Sequence, residues 1–115
     1  MRNRASAIAV LGLIVFLAAP APMFAQAQVE RGMKVFADSK CSLCHSVAGK
    51  GNPKGALDEV GTRLSAAEMH EWITHPEAMR QKTKAERKPM MKSFSTLPKE
   101  DVDALIAYLQ TLKKK

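Results

Sequence analysis

The chain has 115 residues, a formal net charge of +7, 46% hydrophobic but only 5% aromatic residues, and two cysteines. That leaves room for one small domain, and a core of this size usually needs a staple, a metal or a cofactor to be stable. The positive surplus does not single out nucleic acid, because the basic residues carry no interleaved aromatics and no base-reading motif; acidic protein partners or plain solubility are the readings left.

Residues 1–27 read as a secretory signal peptide. Arg2 and Arg4 form a positive start, Ala7 to Ala19 is an uncharged run rich in Ile, Val and Leu, Pro20 and Pro22 break it, and Ala25-Gln26-Ala27 fits a small-x-small cleavage site. The apolar run is 13 residues long, short of the roughly 20 needed to span a bilayer. No stable membrane anchor is therefore expected. The mature chain is expected to start at Gln28, and loss of Arg2 and Arg4 takes the formal charge from +7 to +5.

Val29, Met33 and Phe36 recur at helical spacing and predict a short amphipathic helix ending near Ser39. Gly32 lies on the same face. A glycine inside a helix costs about 1 kcal/mol relative to alanine, so it is read as the point where another helix crosses closely, with Met33 as packing. Cys41-Ser42-Leu43-Cys44-His45 follows. Residues 49–55, with three glycines and Asn52-Pro53, predict a loop. Leu57, Val60 and Leu64 carry apolar side chains across a second loop, with Gly61 as its turn residue. Ser65 and Glu68 have capping-box spacing, so a helix is expected through Met69, Trp72 and Ile73, stopping before Pro76.

Pro76 can open a further short helix, to about Gln81. A basic loop follows from Lys82 to Lys88, and then Pro89-Met90-Met91-Lys92-Ser93-Phe94. The last element is the clearest helix: Val102, Leu105, Ile106, Tyr108, Leu109 and Leu112 form a broad apolar stripe. Acidic residues load its first turn and Lys113 to Lys115 follow its last, as the helix dipole favours. With no strand alternation and no internal repeat, residues 28–115 read as all-α.

The chemistry lies in the C-x-x-C-H run. Cys41 and Cys44 are spaced so that both sulfurs can form thioethers with one edge of a haem, and His45 can turn its imidazole over the iron. The cysteines make a poor structural disulfide, since so small a loop yields little chain-entropy stabilisation. A zinc site built from Cys41, Cys44, His70 and His75 is the rival, but 25 residues separate Cys44 from His70, against about 12–15 in the familiar finger. A low-spin haem needs a sixth ligand. Met33 and Met69 are explained as packing and Met79 sits in a helix. Met90 and Met91 lie in an extended stretch between helices, from which a thioether can reach a haem face.

From about Val29 onward the sequence resembles a monohaem class I cytochrome c of the bacterial periplasm. Gly32 and Phe36 match the first-helix positions that cross the last helix, Cys41, Cys44 and His45 match the haem-attachment motif, and Leu105 and Tyr108 match the last helix. Met91-Lys92-Ser93-Phe94 with Leu97 resembles the family's Met-x-x-aromatic-x-x-Leu ligand loop. The resemblance implies a small all-α fold wrapped around one covalently attached haem c. It selects Met91 as the iron ligand opposite His45, with Met90 as the alternative, and it places Trp72 against the haem.

The family's Gly-Pro-x-Leu, whose proline carbonyl holds the haem histidine, is here Gly55-Ala56-Leu57. Ala56 or Pro53 is expected to take that place. The implied function is single-electron transfer between redox protein partners by a periplasmic monomer that is not an enzyme. A sensor or peroxidase-like protein with a labile sixth ligand, or a fixed subunit of a larger complex, is the alternative. Arg80, Lys82, Lys84, Arg87, Lys88 and Lys92, against Glu86 alone, suggest a docking rim for acidic partners.

Overall fold

The computed structural model describes residues 10–15 and 21–115. Most of the expected leader therefore lies outside the described residues. Its last part, from Ala21, belongs to helix α1, Ala21–Asp38. Four more helices follow: α2 Val60–Arg63, α3 Ala66–Thr74, α4 Pro76–Thr83 and α5 Lys99–Gln110. None of the helices among the described residues is long and apolar enough to cross a membrane.

The frame is the crossing of α1 and α5, the most extensive helix–helix contact. Gly32 makes it possible. A Cβ at this position would lie 2.1 Å from the Ala104 carbonyl oxygen and 2.6 Å from Tyr108 Cβ, so any side chain would push the two helices apart. One turn on, the Phe36 ring meets the Tyr108 ring edge-on, with centroids 5.7 Å apart. At the other end of the contact, Arg31 forms an ion pair with Asp101 at 2.7 Å, partly exposed and so a minor contribution.

Closest approach at Gly32 also decides what its neighbours do. Successive residues are rotated by about 100° around a helix, which leaves Met33 half-exposed rather than packed as expected, and Val35 takes the buried place on this face. The α5 stripe is buried as read: Val102, Leu105, Ile106, Tyr108 and Leu109 join Val35, Val60, Met69 and Ile73 in one core. Each aliphatic side chain so buried contributes about 1.5–3 kcal/mol. Pro98 stands at the α5 N-cap with no side-chain cap, and Glu100 and Asp101 in the first turn provide the favourable charge instead.

Two expected loops have more structure than predicted. Residues 46–51 form a tight hairpin pairing Ser46 with Gly51 and Val47 with Lys50. Its turn residues Ala48 and Gly49 both have positive φ, 51° and 77°, the geometry that two-residue hairpins favour. Two residues per strand are too few to leave an alternation in the sequence. Gly61 is a helical residue in α2, not a loop turn. Its N–H donates to the Leu112 carbonyl at 2.7 Å, and a Cβ there would meet the Gln110 carbonyl oxygen at 2.5 Å. Here glycine serves close backbone packing on the end of α5. The capping box of α3 is formed as read, with Glu68 N–H donating to Ser65 Oγ and Ser65 N–H to Glu68 Oε2. Helix α4 runs one turn-fraction longer than expected, to Thr83.

Replacing Gly32 by alanine is expected to destabilise the fold by about 3 kcal/mol, an overpacking cost that exceeds the helix propensity gained. The readout is a thermal melt followed by far-ultraviolet circular dichroism. An unchanged midpoint would mean that the helices do not cross at Gly32.

Candidate cofactor site

A cavity of about 420 Å³ opens between α3, α5, the segment after α1 and the segment before α5. Its walls are mostly apolar, with Phe36, Leu57, Leu64, Met69, Ile73 and Leu105 among them. Cys41, Cys44, His45, Trp72, Met90 and Met91 all line it as well. Residues from sequence positions 41 to 91 that were singled out separately are thus gathered around one space.

One wall is built by the C-x-x-C-H run and the turn that follows. Lys40, in the left-handed region at φ 56°, ends α1 and starts a 3-10 turn over Cys41–Leu43. The Cys41 carbonyl accepts from both Cys44 N–H and His45 N–H, at 3.1 and 2.9 Å. This winding brings the two thiols and the imidazole to the same side. Asn52 then secures the run: its N–H donates to the Ser42 and His45 carbonyls, and its side-chain Nδ2 donates to the Leu43 carbonyl at 3.2 Å. Gly51, at φ 112°, lies so close that a Cβ would be 2.2 Å from the His45 carbonyl oxygen.

Asn52 also caps the next turn, Pro53–Gly55, by accepting from Lys54 N–H through Oδ1. That turn delivers the Gly55 carbonyl to His45 Nδ1 at 3.0 Å. A carbonyl can only accept, so Nδ1 carries the proton and Nε2 keeps its lone pair, the tautomer needed for metal ligation. The residue holding His45 is therefore Gly55, not Ala56 or Pro53. Pro53 opens the turn, and Ala56 is drawn off to bridge Ser46. Burial lowers the His45 pKa, the Gly55 bond opposes the shift, and the nearby Arg87 charge adds to it. Burial likewise raises the Cys41 thiol pKa.

The opposite wall carries Met90 and Met91 on the extended segment between α4 and α5. This segment hangs from the end of α3: Phe94 N–H donates to the Ile73 carbonyl at 2.8 Å, and Ser93 Oγ donates to the Thr74 carbonyl at 2.6 Å. Met91 is half-buried and packs against the core along with Phe94 and Leu97, whereas Met90 is 53% exposed. Trp72 lines the cavity from α3 and is half-buried. Met69 and Met79 are buried in helices.

His70 and His75 are exposed, lie near Glu71 at 3.5 Å each, and do not line the cavity that holds the cysteines. The zinc arrangement is not assembled. Asn52, Gly55 and Ser93 went unrecognised in the sequence. Asn-Pro signalled a turn, but not which carbonyls that turn would hold.

The residues present fit a covalently attached haem. Two unpaired thiols flank an apolar slot, with a correctly protonated imidazole on one wall and thioethers on the other. Arg63, Arg80 and Arg87 also line the slot, cations that suit the acidic substituents of such a cofactor. The fold and the slot together define a small helical haem protein. The family model described as cytochrome c matches residues 29–113, and the chain belongs to the cytochrome c family. Membership carries with it a covalently bound haem with its iron, haem-based electron transfer and redox protein partners.

Among curated proteins, cytochrome c oxidase subunit 2 of Alkalihalophilus pseudofirmus is 32% identical over 92 residues, covering 72% of this chain and 25% of that protein. The chain thus spans about a quarter of the length of that relative. No solved structure matched.

Gly55→Ala would place a Cβ 2.1 Å from the Cys44 carbonyl oxygen. The expected result is displacement of the turn and loss of the His45 bond. This should appear in the NMR spectrum of the reduced holoprotein as a Nδ1 proton that exchanges with solvent at least tenfold faster than in the unaltered protein.

Proposed function

We propose that this chain is a single-electron carrier exported to the periplasm, with one haem c attached through Cys41 and Cys44 and with His45 and Met91 as the axial ligands. The observation that carries the reading is the pairing of the two walls: His45 with Nε2 kept free by the Gly55 carbonyl, and Met91 turned in and packed on the core. When bound, the haem iron supplies the Fe(II)/Fe(III) couple. The chain's contribution is to fix the ligands and exclude water. The Asn52 and Gly51 contacts hold His45, Ser93 and Phe94 hold the Met91 segment, and the apolar walls keep the slot dry. A thioether ligand favours the ferrous state and raises the potential. With both faces covered by side chains, no open position is left for oxygen or peroxide chemistry, and the protein is not an enzyme on this reading.

Export is supported by the leader-like pattern of residues 1–27 and by the exposure of residues 22–27 on α1. Among the described residues, cleavage after Ala27 would remove no core contact. The mature protein is expected to weigh one haem more than residues 28–115 under denaturing conditions, a mass measurement that reports attachment, haem number and cleavage site together.

Met91→Ala should abolish the weak near-infrared absorption of methionine–ferric iron ligation, while Met90→Ala should keep it. If both variants retain the band, the ligand assignment fails.

The basic segment from Arg80 to Lys92 supports docking of acidic redox partners beside the haem edge. Electron-transfer rates with such partners are expected to fall steeply as ionic strength rises from about 10 to 150 mM, because the screening length shortens from about 30 to 8 Å.

The relative named as an oxidase subunit favours a second reading, in which this domain delivers electrons from a fixed place in a larger complex. Purification as a free monomer would count against it, and co-purification with membrane components would support it.

A further inference from the structure

The segment carrying Met90 and Met91 and the wall carrying Cys41, Cys44 and His45 are joined by one hydrogen bond among the described residues. Arg87 makes it. Its Nη2 donates to the Cys44 carbonyl at 2.5 Å, across 43 positions of sequence. Its guanidinium also lies close against Gly55: a Cβ built on Gly55 would be 2.3 Å from Arg87 Nη1 and 2.9 Å from its central carbon. Gly55 is the residue whose carbonyl holds His45. One side chain, four residues before Met91, therefore touches both the peptide preceding His45 and the residue that orients it.

Apart from the Ala85 N–H bond to the Arg80 carbonyl at the end of α4, the remaining hydrogen bonds from this segment to the rest of the fold among the described residues, those of Ser93 and Phe94, lie on the C-terminal side of Met91 and go to α3. Without Arg87, the stretch from Ala85 to Met90 would have no polar tie to the opposite wall. The rest of its charge is of a different kind. Arg80, back on α4, is engaged by Glu77, and Lys88 is exposed and makes no side-chain hydrogen bond or ion pair among the described residues. The fork of Arg87 suits a backbone carbonyl above a bare Cα, which a lysine ammonium would match only in part.

We infer that Arg87 is a positioning residue, a latch that holds the Met91 segment shut over the haem slot by bridging it to the Cys44–Gly55 side. The inference rests on the assignment of His45 and Met91 as axial ligands. The latch determines how often the methionine side opens, and so how readily a foreign ligand replaces the thioether. Losing an exposed charge-assisted hydrogen bond of this kind corresponds to about a tenfold change in such an opening equilibrium.

The test uses the ferric holoprotein and imidazole as the foreign ligand, followed by loss of the near-infrared methionine band and the accompanying Soret shift. Arg87→Ala should bind imidazole about tenfold faster and more tightly than the unaltered protein, Arg87→Lys should fall between, and Lys88→Ala, which removes a neighbouring charge and no latch, should match the unaltered protein. The helix melting midpoint of Arg87→Ala should stay within a few degrees, which separates opening of one segment from loss of the fold. If Arg87→Ala binds imidazole as the unaltered protein does, or if Lys88→Ala produces the same change, the latch is wrong while the ligand assignment stands. If the unaltered ferric protein shows no methionine band, the Met91 assignment is wrong and the latch falls with it.

Discussion

The frame of this domain is set by the contact at Gly32. Two helices whose backbones come within van der Waals range can meet in one way only, because no side chain stands between them to permit sliding. That contact sets the direction in which α1 ends, and the left-handed Lys40 then turns the chain at once into the cysteine run. The same contact presents Leu105 and Leu109 to the slot while Tyr108 faces α1. The haem-bearing wall and its apolar backing are thus two outcomes of one helix crossing. The core alone, small for an independent domain, is completed by the cofactor that its own walls define.

The two walls are built by different means. On the histidine side the interactions are local: a 3-10 turn, a hairpin and a second 3-10 turn lie within fifteen residues and are stitched together by Asn52. On the methionine side the ties that fasten the segment to the slot are long-range. An extended segment with no regular structure is held to a helix end about twenty residues earlier in sequence, and to the opposite wall through Arg87. A stiff wall facing a suspended one suits an electron carrier. On the proposed ligation, the histidine, whose Nδ1 proton must stay in place, is held by the rigid side, and the soft thioether, which needs no proton partner, is on the other.

Much of this was legible in the sequence. The cysteines with His45 reported the cofactor's chemistry, the spacing around Gly32 and Phe36 reported the crossing, and Ser65 with Glu68 and Pro76 fixed the ends of α3. What was not legible depends on tertiary contact. Met33 occupies a helical apolar position, yet the glycine beside it turns that position away from the core. Gly55 accepts from His45 where Ala56 or Pro53 was expected, because the length of the Asn52-capped turn decides which carbonyl arrives. Gly61 reads as a turn signal in sequence, while in the fold it admits the end of α5. Arg87 looks like one more charge in a basic stretch, and only the folded path brings it to Cys44.

The break at His75 and Pro76 has a consequence beyond ending α3. In an uninterrupted helix the carbonyls of Ile73 and Thr74 would accept from the amides four residues on, Glu77 and Ala78. The change of direction at His75, with φ −133° and ψ 55°, leaves both carbonyls free, and Phe94 and Ser93 use them as ready-made docking points. The place of the methionine segment is therefore written in where a helix stops rather than in the stretch itself. A chain in which α3 ran straight on into α4 would keep every residue of the methionine segment and lose both of its fastening points on α3.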